Sequence, residues 1–174
     1  MKKLIALTLA VIMVCALFVA CGDKTPAKAN YEGTMEELTN AIAEANPVEF
    51  MAMTTVLDLT DTSEDGEFML QYFTGLLNGE KFADVAGFEP MMSSQAFSLV
   101  LMRVAEGNEP QAVAQEVKDS VDARKWVCVE ADQKMVAGYG DVIMLIMVES
   151  SMGLTAQSYV DAFQNIVGEL DFVI

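Results

Sequence analysis

The chain contains no histidine. That absence removes the commonest general base, the commonest transition-metal ligand, and every Ser-His or Cys-His nucleophile system. Cationic side chains are scarce too, with 10 Lys and Arg against 26 Asp and Glu in 174 residues. Such a surface repels nucleic acid and anionic headgroups, so nucleic-acid binding is excluded as a function class. Its ordinary use is solubility, and its sharper use is attraction for cations or basic partners. Cysteine is limited to Cys15, Cys21 and Cys128.

What is present begins with a leader. Residues 1–20 read MKKLIALTLAVIMVCALFVA: two lysines, then a weakly polar or apolar run of 17 residues from Leu4 to Ala20. A spanning helix needs roughly 20 such residues, with tolerance to about 17, so length alone does not separate an anchor from a cleaved signal. The ending does. Ala20 is small, Cys21 follows it, and Gly22-Asp23 turns abruptly polar, as signal-peptidase geometry requires. "FVAC" resembles the lipobox of bacterial lipoproteins, with Phe18 where Leu is usual and Leu17 one place early. The resemblance implies cleavage after Ala20, a thioether-linked diacylglycerol on Cys21 carrying acyl chains such as palmitate, and a chain facing outside the cytoplasm. Two acyl chains suffice for stable anchoring, whereas one is marginal. Residues 21–33, poor in apolar side chains, then read as a flexible tether. With Lys2 and Lys3 removed, 8 basic residues face 26 acidic ones, a formal charge of −18. Only Cys128 then remains free in the domain, which excludes an internal disulfide.

Residues 34–174 read as one α+β domain. Thr34 and Glu37 form a capping box ahead of Met35, Leu38, Ile42 and Ala45 on one helical face, and Asn46-Pro47 stops the helix. Residues 48–59 fit neither period and read as extended or mixed. Phe68, Met69, Tyr72, Phe73, Leu76 and Leu77 recur at helical spacing up to Asn78-Gly79, and residues 81–87 predict a further helical turn closed by Gly87. Residues 94–105 predict a strand buried on both faces. A helix capped by Asn108 or Glu109 follows, with Pro110 in its first turn. Residues 134–148 predict a hairpin turning at Tyr139-Gly140-Asp141. A helix with Tyr159, Val160, Phe163, Ile166 and Val167 inward follows, then a short strand at 171–174. The expected architecture is a small antiparallel sheet of three to four strands with helices packed on one face, preceded by N-terminal helices.

Few constellations promise chemistry. Asp61, Ser63, Asp65 and Gly66 match the first half of a calcium loop, but the bidentate Glu of its twelfth position falls on Tyr72. The same residues serve a helix start: Thr62 or Ser63 as cap, Glu64, Asp65 and Glu67 in the positive first turn. Ser93-Ser94 has no activating partner, and Phe97 occupies the place of a Ser-x-x-Lys lysine. Arg124, Lys125 and Trp126 concentrate basic and aromatic character in a very acidic chain, which suits a ligand or partner surface; a helix C-terminus uses the same residues. Cys128, between valines, reads as buried and inert. The thirteen methionines are densest at Met51-x-Met53 and Met91-Met92. Thioethers suit copper or a pliable binding surface, although filling of core gaps is their common use.

From about Ala83 to Val148 the chain resembles a family of lipoproteins of Gram-positive anaerobes classed as a domain of unknown function. The residues carrying the likeness are EPMMSSQAFSLVLMRV, the Ala- and Val-rich helix from Pro110, DARKW, and KMVAGYGDVIMLIMV. The resemblance implies location and fold, and brings no catalytic residues or cofactor. The expectation is a lipid-anchored, non-enzymatic module that binds a protein or small-molecule partner, with no cofactor and no metal. A carboxylate-based enzyme on cell-wall glycans and a calcium-dependent adhesive or sensor module are the alternatives, since neither needs histidine.

Overall fold

The computed structural model describes residues 30–174. Ala20 and Cys21 therefore lie outside the described residues. In chain order the elements are α1 (Met35–Ala45), β1 (Ala52–Val56), α2 (Glu64–Thr74), β2 (Phe82–Pro90), β3 (Phe97–Val104), α3 (Pro110–Ser120), β4 (Gln133–Tyr139), β5 (Val142–Val148), α4 (Ala156–Val167) and β6 (Phe172–Val173). Single 3₁₀ turns occupy Gly79–Lys81 and Ser150–Met152. No helix among the described residues is long and apolar enough to cross a membrane.

The helix starts follow local chemistry. Thr34 Oγ1 accepts from the Glu37 amide at 3.1 Å, and Glu37 Oε2 accepts from the Thr34 amide at 2.9 Å. A third amide, that of Met35, donates to Asp84 Oδ2 of β2 at 2.8 Å, so the start of α1 is fastened to the sheet. Ser63 caps α2 and Glu109 caps α3. α2 ends at Gly75, before the predicted Asn78-Gly79 stop. Gly75 adopts φ 75°, and a Cβ there would lie 2.4 Å from the Val121 nitrogen. Close chain approach, and not only the left-handed cap, demands glycine at this point. Asn78 instead opens the following 3₁₀ turn by accepting from the Glu80 amide.

The sheet is antiparallel throughout, in the order β1-β2-β3-β5-β4-β6. It has six strands, not the expected three to four. Residues 82–87, expected as helix, belong to β2. Gly87 is no terminator there: a Cβ on it would sit 2.0 Å from the Phe73 ring, so the missing side chain makes room for α2 on the sheet. The helices cover both faces, not one. α1 and α4 pack over Leu99, Leu101, Met144 and Ile146, while α2, α3 and Trp126 pack over Val100, Met102, Ile143 and Leu145. β5 is therefore buried at every residue, the environment an unbroken apolar run suits.

Folded contacts begin ahead of the expected domain start at residue 34. The Arg103 guanidinium donates to the carbonyls of Tyr31 and Gly33 at 2.9 and 2.7 Å, and pairs with Asp141 at 2.8 Å.

Candidate functional site

Two features could carry function: a buried polar cluster and an open acidic groove. The cluster forms where β2 ends and β3 begins, on the face carrying α2. Glu89 lies on β2 and Ser98 on β3; Tyr72 extends from α2, and Lys125 comes from the loop after α3. Lys125 Nζ donates to Glu89 Oε1 at 2.8 Å, to Ser98 Oγ at 3.0 Å and to the Tyr72 carbonyl at 3.0 Å. It also stands 4.0 Å from the centroid of the Tyr72 ring. Glu89 additionally accepts from the Ser98 hydroxyl and from the Tyr72 phenol. Three donors on an ammonium meet three acceptors, and a carboxylate receives three donors, which is the hydrogen-bond inventory of an ionised pair. Burial pushes the Glu89 carboxyl up and the Lys125 ammonium down, and their mutual attraction opposes both displacements. Burial likewise drives the Tyr72 phenol well above its ordinary value, assisted by the charge of Glu89.

This cluster joins a serine to a lysine but offers no catalysis. Ser98 is fully buried and its hydroxyl is engaged by Glu89, so no substrate carbonyl can approach Oγ. Its role is to close the sheet corner with every charge compensated.

The structure separates the three residues expected to form one ligand surface. Arg124 is exposed and paired with Glu130 at 2.7 Å. Lys125 is buried in the cluster, and Trp126 is buried in the core with its indole nitrogen lacking a hydrogen-bond partner. Cys128, expected to be buried, is exposed and held at φ 63° in the turn ahead of β4.

The groove lies between the end of β1 and the start of α2. It encloses about 470 Å³, within the range of small-ligand sites. Val56, Leu57, Leu59, Met69, Leu70 and Leu77 provide its apolar lining. Five carboxylates also line it, those of Asp58, Asp61, Asp65, Glu67 and Glu80, and no basic side chain does. Asp58 accepts from the hydroxyl and amide of Thr60 at 2.6 and 2.9 Å, and Asp61 accepts from the Ser63 amide at 2.9 Å. Those hydroxyl and amide bonds hold both carboxyls below the ordinary aspartate value.

These bonds also bear on the calcium and hydrolase alternatives. Ser63 Oγ caps α2 and Asp61 braces the turn before it, so Asp61, Ser63 and Asp65 act as a helix start. Among the described residues no group of three or more Cys, Asp and Glu side chains could hold a metal ion. Asp58 and Asp61 are both held down, so these two by themselves do not divide into the raised acid and lowered partner of a glycosidase.

Glu89, Ser98 and Tyr72 had no signal in the sequence beyond the presence of a glutamate in an otherwise apolar stretch. The groove's acids were visible as a charge run, but its apolar lining draws on segments 55–59, 69–70 and 77 that only the fold assembles. No family model matches the chain, and no curated protein or solved structure is found to be similar to it.

Proposed function

We propose that the chain is a lipid-anchored extracytoplasmic binding module whose recognition surface is the acidic groove between β1 and α2. The occupant is a basic segment of a partner protein that carries apolar residues among its Lys and Arg. The observation that carries this reading is the pairing in one groove of an apolar lining with five carboxylates and no cation. Such a groove attracts cationic ligands over distance and desolvates their apolar parts on contact. β1 is an edge strand of the sheet, and its last two residues, Thr55 and Val56, line the groove. Anchoring rests on Cys21 following "FVA", with the segment from residue 22 to about residue 30 as the spacer.

The groove is tested with synthetic peptides of alternating Lys and Leu, and Glu and Leu peptides as the control. Binding of the basic peptide, weakened by salt and by the combined Asp65→Asn, Glu67→Gln and Glu80→Gln changes, is expected. Equal binding of the acidic peptide, or indifference to the three changes, would overturn the groove assignment. Anchoring is tested separately by labelled palmitate in bacterial cells. Incorporation lost in Cys21→Ala is expected; no incorporation in the parent refutes the anchor.

A further inference from the structure

The β1/β2 register does something with the methionines that chain order does not. Ala52 pairs with Pro90 and Met53 with Glu89, and the Met91 amide donates to the Met51 carbonyl at 2.9 Å. Met51 therefore stands opposite Met91, and Met53 lies two residues along on the same strand. Cross-strand partners share a face, and so do residues two apart on a strand. Met51, Met53 and Met91 thus project from the face to which Glu89 belongs, while Phe50 packs into the core of the opposite face. All three are exposed, at 72%, 52% and 58%, and Met92 follows at 64%. Of the large apolar side chains exposed among the described residues, these four are the methionines, and the register brings Met51, Met53 and Met91 to one corner.

Core filling does not account for side chains that reach solvent, and stability gains nothing from exposing them. Their chemistry does distinguish them from leucine. Thioether sulfur is a soft, uncharged donor that selects monovalent copper and its congener silver over harder ions. The neighbouring cation, Lys125, is neutralised by Glu89 and buried, so it does not repel an incoming metal ion, and the domain's surplus of acid attracts one. Opposed Cβ atoms lie about 4.5–5.5 Å apart and diagonal neighbours about 7–8 Å, a spacing that the flexible, unbranched methionine side chains can close.

We propose that Met51, Met53 and Met91 form a three-thioether site for Cu(I), at the end of β1 remote from the groove. The site is independent of the groove's occupant, and neither reading requires the other.

The test uses the full domain carrying Cys128→Ser, which removes the one competing free thiol. Ag(I) serves as a redox-inert probe, and Cu(I) is titrated anaerobically against a chromophoric Cu(I) chelator. One ion per chain is expected, with the methyl resonances of Met51, Met53 and Met91 shifting and those of the buried Met102 and Met144 unmoved. Thioethers carry no proton to lose, so affinity stays constant from about pH 5 to about pH 8, unlike a thiolate or imidazole site. Changes outside the ligand set of a metal site cost about 10–100-fold, so replacing all three donors by leucine should weaken binding more than about 100-fold. Leucine on an exposed strand position leaves the fold intact, which circular dichroism verifies. Ag(I) binding no tighter in the parent than in the triple leucine variant would overturn the proposal. So would methyl shifts confined to other methionines, the result expected if the patch served only to dock an apolar partner.

Discussion

At the scale of single residues, the cluster at the sheet corner shows how burial governs charge. Lys125 and Glu89 are each compensated by three hydrogen-bonding partners, and removal of either leaves the other buried with its charge uncompensated. Lys125→Met is therefore expected to lower the unfolding free energy by about 3–5 kcal/mol, read from urea denaturation. Combined with Glu89→Gln, the loss should fall short of the sum of the single losses by more than ~1 kcal/mol; additive losses would show the two side chains to be energetically independent. The turn carboxylates give a second prediction. Asp58, Asp61 and Asp132 are held down by the hydroxyls and amides of Thr60, Ser63 and Ser150. A carboxyl lowered in the folded chain leaves the unfolded chain with more bound protons, so its contribution is present above the ordinary value of 3.8 and lost on acidification. Carbon NMR should give titration midpoints below 3.8 for all three, and Thr60→Val should move Asp58 back toward that value.

At the scale of elements, what the chain announced locally it delivered. The capping box of α1, Pro110 at the start of α3 and the hairpin of β4 and β5 all rest on bonds made within a few residues. The failures share a different cause. Beyond an irregularity after Phe82, β2 alternates Asp84, Ala86 and Phe88 with Val85, Gly87 and Glu89, so small and charged residues occupy positions that a buried strand gives to large apolar ones. Gly87 is small because Phe73 lies over it, and Glu89 is charged because Lys125 meets it. Both reasons sit more than ten residues away in the chain. Gly87→Ala is accordingly expected to destabilise by about 1–3 kcal/mol through overpacking, and Phe73→Leu in the same chain to recover part of that loss. Equal thermal melts for Gly87→Ala and the parent would contradict the close approach.

For the whole molecule, the imbalance of charge outweighs any single pair. A chain from Cys21 onward carries −18, and compaction brings those charges together. Between about 0.01 M and about 0.1 M salt the Debye length contracts from about 30 Å to about 10 Å. Relief worth ~1 kcal/mol corresponds to a rise of about 2–4 °C in melting temperature for a domain of this size. A melting temperature that falls over that range would mean that favourable ion pairs, and not repulsion, dominate the surface.

Nearest-neighbour chemistry was thus enough to locate the helix caps, the apolar strands and the acidic surplus, because each depends on residues close in sequence. The run VIMLIMV lacks the alternation of a strand with one solvated face, so burial of β5 was readable, but the expected architecture still placed the helices on one face only. The sheet's six-strand order, the groove, the Glu89–Lys125 pair and the gathering of Met51, Met53 and Met91 came only with tertiary structure. Each joins side chains from distant segments, and antiparallel register, which depends on both strands at once, determines which of them meet.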